Sequence, residues 1–415
     1  MDRELKKCFD KFSLVSERLK WLQSHDSLTI LRHSLSLPSL LHILRTSCCV
    51  GHTVLTELDE AFRICLSRTL NVSLNDTQWI QASLPVKQGG LGIRRCSEVA
   101  PSAFLASASG SSALISTILP NYNISTNLSD DLSKSFATWI NLGGVTRPIA
   151  ESVQHEWDIQ ITKHTQTQLL ANERDERSRA RLLACFAPHA GDWLSAPPLT
   201  SVGLRMSDQV IRIAAGLRLG TSLCAPHFCS CGETEYSSGI HGLSCQRSMG
   251  RHSRHSMVND IIHRGLIKAR INSLREPSGI ITGSNLRPDG VSLVPWNQGK
   301  CVVWDATIPD TLAPSHISST SSSAGAAAEQ AATLKMTKYS NIPNSYLFIP
   351  VAIETLGSYC SDGLHFIQEL GRRICRVTGD KRETTYLFQR LSVAIQRGNA
   401  ASVIGTMSHI SNCDG

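Results

Sequence analysis

The sequence predicts a mixed α+β protein: a helical N-terminal region, a small cysteine–histidine knuckle, and a C-terminal α-β-β-β-α-β core with covering helices. Three observations carry that prediction. Apolar residues recur at helical spacing through the first hundred positions, as in Leu55, Leu58, Phe62, Cys65, Leu66 and Leu70. One tight cluster, "CAPHFCSCGETEYSSGIHGLSC", breaks the otherwise scattered cysteine distribution. Beyond it, helical and extended segments follow one another in a regular order that suits a mixed sheet covered by helices.

Taken in order, residues 1–110 read as helices broken at Pro38, at Gly51–His52 and at "NVSLNDTQ", with Thr53 or Thr56 as candidate caps. "LPVKQGGLGIRR" reads as a turn and a short extended piece, because its glycines fit neither phosphate-loop spacing. "SASGSSALIS" reads as a small-residue helix or a loop, and the polar stretch 120–150 as a linker. "QTQLLANERDERSRARLLACF" reads as one mixed-charge helix. After the knuckle come a helix in "SRHSMVNDIIHRGLIKARI", a strand near "SLREPSGI" and a hairpin in "NLRPDGVSLVPWNQGKCVVWDATIPDT". A helix in "AGAAAEQAATLKMTKYSNI", a strand in "SYLFIPVAIETLG" and two final helices complete the order.

Composition narrows the function. An apolar fraction of 41% across 415 residues is enough for real cores. No stretch has the roughly 18–20 apolar residues of a membrane span, and the charged start "MDRELKKCFDKF" lacks the core of a secretory signal. Fourteen cysteines in that context predict reduced thiols, with metal binding at the cluster. The net charge of +7 is a mild bias, compatible with a polyanionic partner. Locally it is sharper: Arg247, Arg251, Arg254, Arg264, Lys268, Arg270 and Arg275 face a single acid, Asp260. A solvated helix face and a phosphate-facing surface both fit that run; on the second reading Arg251, Arg254, Arg264 and Lys268 are the DNA contacts.

Within the cluster, Cys229, Cys231, His241 and Cys245 form a C-x-C-x9-H-x3-C array. Thiolates and imidazole suit Zn2+, and four protein ligands make a closed, structural site. The first spacing is tighter than the common C-x2-C, so Cys224 stands as an alternative to Cys229 or Cys231.

The hairpin raises a different question, because Asp305 sits among Val302, Val303, Trp304 and Ile308, where a bare carboxylate is costly. With a turn centred near Asn297 or Gln298, Asp289 falls opposite residue 305, 306 or 307. Two carboxylates so placed can share one Mg2+, which offsets their charge, activates a water and polarises a phosphate. Lys335 and Lys338, on one face of the following helix with Tyr339, are the candidate cations beside the reacting phosphate. The competing reading is that the hairpin acids form structural ion pairs with Arg287 or Lys300. Glu354 reads as a sheet-end residue making a structural hydrogen bond, Trp296 and Trp304 as packing residues, and His252 and His255 as solvated or phosphate-side.

"RPDG", "WDAT", K-x-x-KY and "FIPVAIETLG", preceded by a Cys/His knuckle, resemble the restriction-like endonuclease region of non-LTR retrotransposon proteins, a branch of the PD-(D/E)XK nucleases. The resemblance spans roughly residues 25–110 and 220–400, and its first part looks like the thumb and linker that close a retroelement reverse transcriptase. It implies a helical thumb/linker-like region over 1–150, a helical connector over 151–222, a zinc knuckle over 223–247 and an endonuclease-like domain over 248–415. It also implies catalytic Asp289 and Asp305, a magnesium ligand in the carbonyl of Ala306, a lysine from Lys335 or Lys338, DNA and element RNA as partners, and a nuclear location. The superfamily's usual lysine, two residues after the second acid, is Thr307 here. No Tyr/Phe-x-Asp-Asp motif occurs, so reverse transcriptase activity is not expected. The alternative expectation is a non-catalytic, zinc-containing nucleic-acid-binding remnant or recruited module.

Overall fold

The computed structural model describes residues 2–119, 128–281, 283 and 285–407. The chain divides into two compact units, Met1–Glu173 and Arg174–Gly415. Among the described residues, no helix is long and apolar enough to cross a membrane.

The first unit is helical: α1 Asp2–Leu19, α2 Ser24–Ile30 running on as a π-helical turn Leu31–Leu35, α3 Leu37–Thr46, α4 Thr53–Leu70, α5 Asp76–Ser83, α6 Cys96–Ile118, α7 Ser129–Asn141 and α8 Gln154–Asn172. Pro38 takes the start of α3, where its missing N–H costs nothing. Neither threonine caps α4; the imidazole of His52 does, accepting from the Val54 N–H at 3.2 Å. Asn75 and Gln78 form a reciprocal capping box on α5. Buried Asp59 on α4 accepts from the backbone N–H groups of Cys96 and Ser97, so it caps α6 across the core. Asp59→Ala leaves those donors stranded, and we expect it to lower the unit's stability by about 1–3 kcal/mol, measured by chemical denaturation.

The expected linker is structured. Residues 120–127 lie outside the described residues, but α7 packs Trp139 against Trp157 of α8, with ring centroids 5.0 Å apart. The Trp139 indole N–H donates to the Trp157 carbonyl at 3.0 Å. The polar stretch hides one buried aromatic per helix, too sparse a signal for periodicity to register. The single helix expected over "QTQLLANERDERSRARLLACF" is two, because Asp175 caps a new one by accepting from the Ser178 N–H at 2.8 Å. The break between the units follows Glu173, inside the expected connector, whose remaining residues 174–222 share one unit with the expected knuckle and core.

That second unit contains α9 Glu176–Phe186, α10 Asp208–Leu219, the short strands β1 His227–Phe228 and β2 Thr234–Glu235, α11 His241–Ser244 and α12 Met249–Lys268. Next come β3 Ser273–Arg275, β4 Gly290–Ser292, β5 Cys301–Thr307, α13 Ile317–Thr320, α14 Ala326–Lys338, β6 Tyr346–Ala352, α15 Ser361–Thr378 and α16 Glu383–Ile404. β3 to β6 lie in sequence order in one sheet. β3–β4 and β4–β5 are antiparallel; β5–β6 is parallel, with α14 in the crossover.

The pleat of β5 sorts its residues between two layers. Val302, Trp304 and Ala306 join Ile262 and Leu266 of α12, Phe366 and Leu370 of α15 and Leu391 of α16 in the main core. Asp305 points the other way, toward α14. Trp296 and Trp304 are buried as packing residues, and the Trp304 indole N–H donates to Asn259 on α12 at 3.1 Å.

Candidate functional site

The β4–β5 hairpin closes through Asn297-Gln298-Gly299-Lys300. Gln298 (φ 49°) and Gly299 (φ 75°) both have positive φ, the requirement of a type I′ turn, whose twist matches that of paired strands. The ladder beyond the turn is offset from it by three residues: Asn297 pairs with Lys300, whereas Gly290 faces Trp304 and Val291 faces Val303. The ladder ends there, and Asp289, one residue before β4, meets β5 through the Ala306 N–H, next to Asp305. Gly290 is required here, since a Cβ would fall 2.1 Å from the Trp304 indole.

Each carboxylate has its own partners. Asp289 Oδ2 accepts from the Ala306 N–H at 2.6 Å and lies 3.1 Å from His255 Nε2 on α12. Burial pushes the Asp289 carboxyl up, but the hydrogen bond and charge of His255 and the Ala306 N–H outweigh it, so the net shift is downward. The bond to Asp289 in turn raises His255 above the usual imidazole value. Asp305, 3% exposed, accepts from the Tyr339 hydroxyl at 2.6 Å and pairs with the Lys335 ammonium. Burial first, and then the bond to Asp305, raise the Tyr339 phenol, so it stays a donor. The Tyr339 hydroxyl also donates to the Arg287 carbonyl at 3.0 Å, tying α14 to the segment that carries Asp289.

Lys335 and Tyr339, four residues apart, converge on Asp305 from one face of α14. Lys338 does not; it is exposed, with its ammonium 4.9 Å from the Tyr339 ring centroid. The basic groups paired with the two acids are His255 and Lys335, whereas the expected structural partners Arg287 and Lys300 are exposed. His255, read from the sequence as solvated or phosphate-side, is thus a member of the cluster. Its only signal was a place on α12, one turn before Asn259.

Glu354 is fully buried, and its Oε1 accepts from the N–H groups of Ala327 (3.0 Å) and Ala328 (3.3 Å), capping α14 as a structural residue. Glu354→Ala is expected to cost about 2 kcal/mol, while Glu354→Gln, which keeps an acceptor, recovers most of it in the same thermal melts.

The second cluster is the knuckle. Its turn runs from Cys229 to Glu233, with the Gly232 N–H donating to the Cys229 carbonyl at 2.9 Å and Gly232 at φ 98°. His241 opens α11 and Cys245 follows its end. One ligand atom from each of Cys229, Cys231, His241 and Cys245 lies within 4.8 Å of all the others. The Cys229 and Cys245 sulfurs are 3.8 Å apart, and Cys231 Sγ is 3.2 Å from His241 Nε2. Ligands about 2.3 Å from a tetrahedral ion stand about 3.8 Å from each other, so this cluster can hold a metal such as zinc. Cys224 lies outside it, its thiol directed to the Tyr236 carbonyl at 3.4 Å. A residue not foreseen sets the geometry: fully buried Glu235 accepts from the N–H groups of His241 (3.1 Å) and Gly242 (2.8 Å), fixing the short helix that presents the histidine.

The expected DNA-contacting cations separate. Arg251 is exposed, Arg264 pairs with Asp260 at 2.8 Å and Lys268 with Glu383. Arg254 is not a surface residue at all. It is 1% exposed and donates to Asn399 Oδ1 (3.0 Å), Ser402 Oγ (3.1 Å) and the Leu243 carbonyl (2.9 Å). A guanidinium with three fixed acceptors is a bolt between α11, α12 and α16, and no phosphate can reach it.

Compared with known proteins, the chain matches no family model and no curated protein sequence.

Proposed function

We propose that the second unit is a metal-dependent, nuclease-type domain that hydrolyses phosphodiester bonds in DNA, within a non-LTR-retrotransposon-like protein. The reading rests on one observation: Asp289 and Asp305 at neighbouring positions of adjoining strands, with the Lys335 ammonium against Asp305. The order α12-β3-β4-β5-α13-α14-β6, in which α13 is a single short turn, is consistent with it.

The donor set suits Mg2+. Two carboxylates are available, and because the Ala306 N–H turns toward Asp289, backbone alternation directs its carbonyl to the same edge of β5. Mg2+ held there would supply Lewis acidity and an activated water. The protein's own groups do the rest: Lys335 keeps a positive charge beside the reacting phosphate, and Tyr339 fixes the Asp305 carboxylate. Lys335 is the better candidate of the two lysines, since Lys338 points elsewhere.

The same pairings favour a second reading, a non-catalytic nucleic-acid-binding module, because each acid already has a basic partner. Plasmid nicking separates the two. With Mg2+, the wild-type protein is expected to nick supercoiled DNA, and Asp289→Asn with Asp305→Asn to lose at least about 100-fold in rate. Lys335→Met should follow the double variant and Lys338→Met the wild type. Equal nicking by wild type and the Asp double variant would leave only the binding module.

A further inference from the structure

The second unit has a groove of about 830 Å³ on the side of α12 turned away from the acid pair. At about 100° per residue, Asp260, Arg264 and Lys268 share a stripe opposite His255 and Asn259. Arg275 of β3 and Arg390 and Arg397 of α16 complete its charged lining, with residues 200–203 along the rim. Five cations from three elements therefore converge. Two acids oppose them: Asp260, which holds Arg264 at 2.8 Å and Arg275 at 3.7 Å, and Glu383, which holds Lys268. Three positive charges are left over in a concave, partly desolvated setting. Arg397 is half-buried and anchored, its guanidinium donating to the Arg205 carbonyl at 2.7 Å.

We infer that this groove binds the phosphodiester backbone of a nucleic-acid strand. Arg390 and Arg397 lie seven residues apart on one face of α16, about 10.5 Å along the axis, a span longer than a single phosphate. Charge spread at that interval suits a chain of phosphates, which such sites hold by releasing counterions. The groove lies behind the acid pair, so it would hold a strand away from any bond being cut. The inference deepens the DNA-directed reading but needs no catalysis.

The test is binding of a fluorescent single-stranded oligonucleotide to the full chain in EDTA-free, Mg2+-free buffer, read by anisotropy between about 50 and 200 mM salt. Arg390→Glu combined with Arg264→Ala is expected to weaken binding at least tenfold and to flatten the dependence of log K on log salt by about one for each phosphate no longer neutralised. Binding is read without Mg2+, where no bond is cut, so a failed nuclease assay does not decide this result. Arg251→Glu, on the same helix but outside the groove, serves as the control for bulk charge. Unchanged affinity in the groove variant, an equal loss in Arg251→Glu, or a loss confined to anionic lipid vesicles or inorganic phosphate would each overturn the inference.

Discussion

Arg254→Ala is expected to destabilise the second unit by about 3–5 kcal/mol, because it strands the Leu243 carbonyl and the Asn399 amide oxygen in the interior. In a unit of this size that is a fall of roughly 6–20 °C in melting temperature, measured by calorimetry. The packing leaves little room for relief. A Cβ at Gly398 would lie 2.0 Å from Arg254 Cγ, so the glycine exists to let the arginine pass between α12 and α16. Arg254→Lys should rescue little, since one ammonium cannot span acceptors on α11 and α16 as a planar fork does. Were Arg254 a DNA contact, the alanine variant would melt like the wild type and fail only in binding.

Loss of the knuckle metal is expected to have a comparable effect. The purified chain should contain a single zinc by elemental mass spectrometry, and Cys231→Ser with His241→Ala should contain none. Glu235→Ala keeps all four ligands but removes the support of their helix, and should weaken zinc binding by about 10–100-fold. The two sets of variants are also coupled. Leu243, whose carbonyl receives Arg254, sits between His241 and Cys245 in sequence, so loss of a metal held there is expected to release that acceptor. A double-mutant cycle of Arg254→Ala with Cys245→Ser should show at least about 0.5 kcal/mol of non-additivity. Additive effects would mean that the knuckle and the arginine fold independently.

What was legible in the chain was local. The polar turn between the two strands, the apolar run of β5 and the spacing of Cys229, Cys231, His241 and Cys245 are short-range patterns, and each led to the right element or cluster. The choice between Lys335 and Lys338 needed the rotation of α14 against β5, which no spacing encodes. Arg254 and Arg251 sit in the same basic run with the same intrinsic polarity; only the close approach of α16 buries one and leaves the other in water. His255, Glu235 and Asp59 act on backbone or side chains far away in sequence or across a turn, so their partners were invisible before the chain was folded.

Because β5 and β6 run parallel, the chain has to return over the sheet through α14, and the ammonium beside Asp305 rides on that return rather than on the strand. Its aim is set at the far end of the helix, where Glu354 grips Ala327 and Ala328. Extra residues in the loop ahead of the helix would leave that aim unchanged. A single residue inserted between Ala328 and Lys335 would swing the amine about 100° around the axis and swap which basic group looks inward. Evolution can therefore lengthen the approach to this helix freely, but it cannot alter the count of residues between its anchor and its payload.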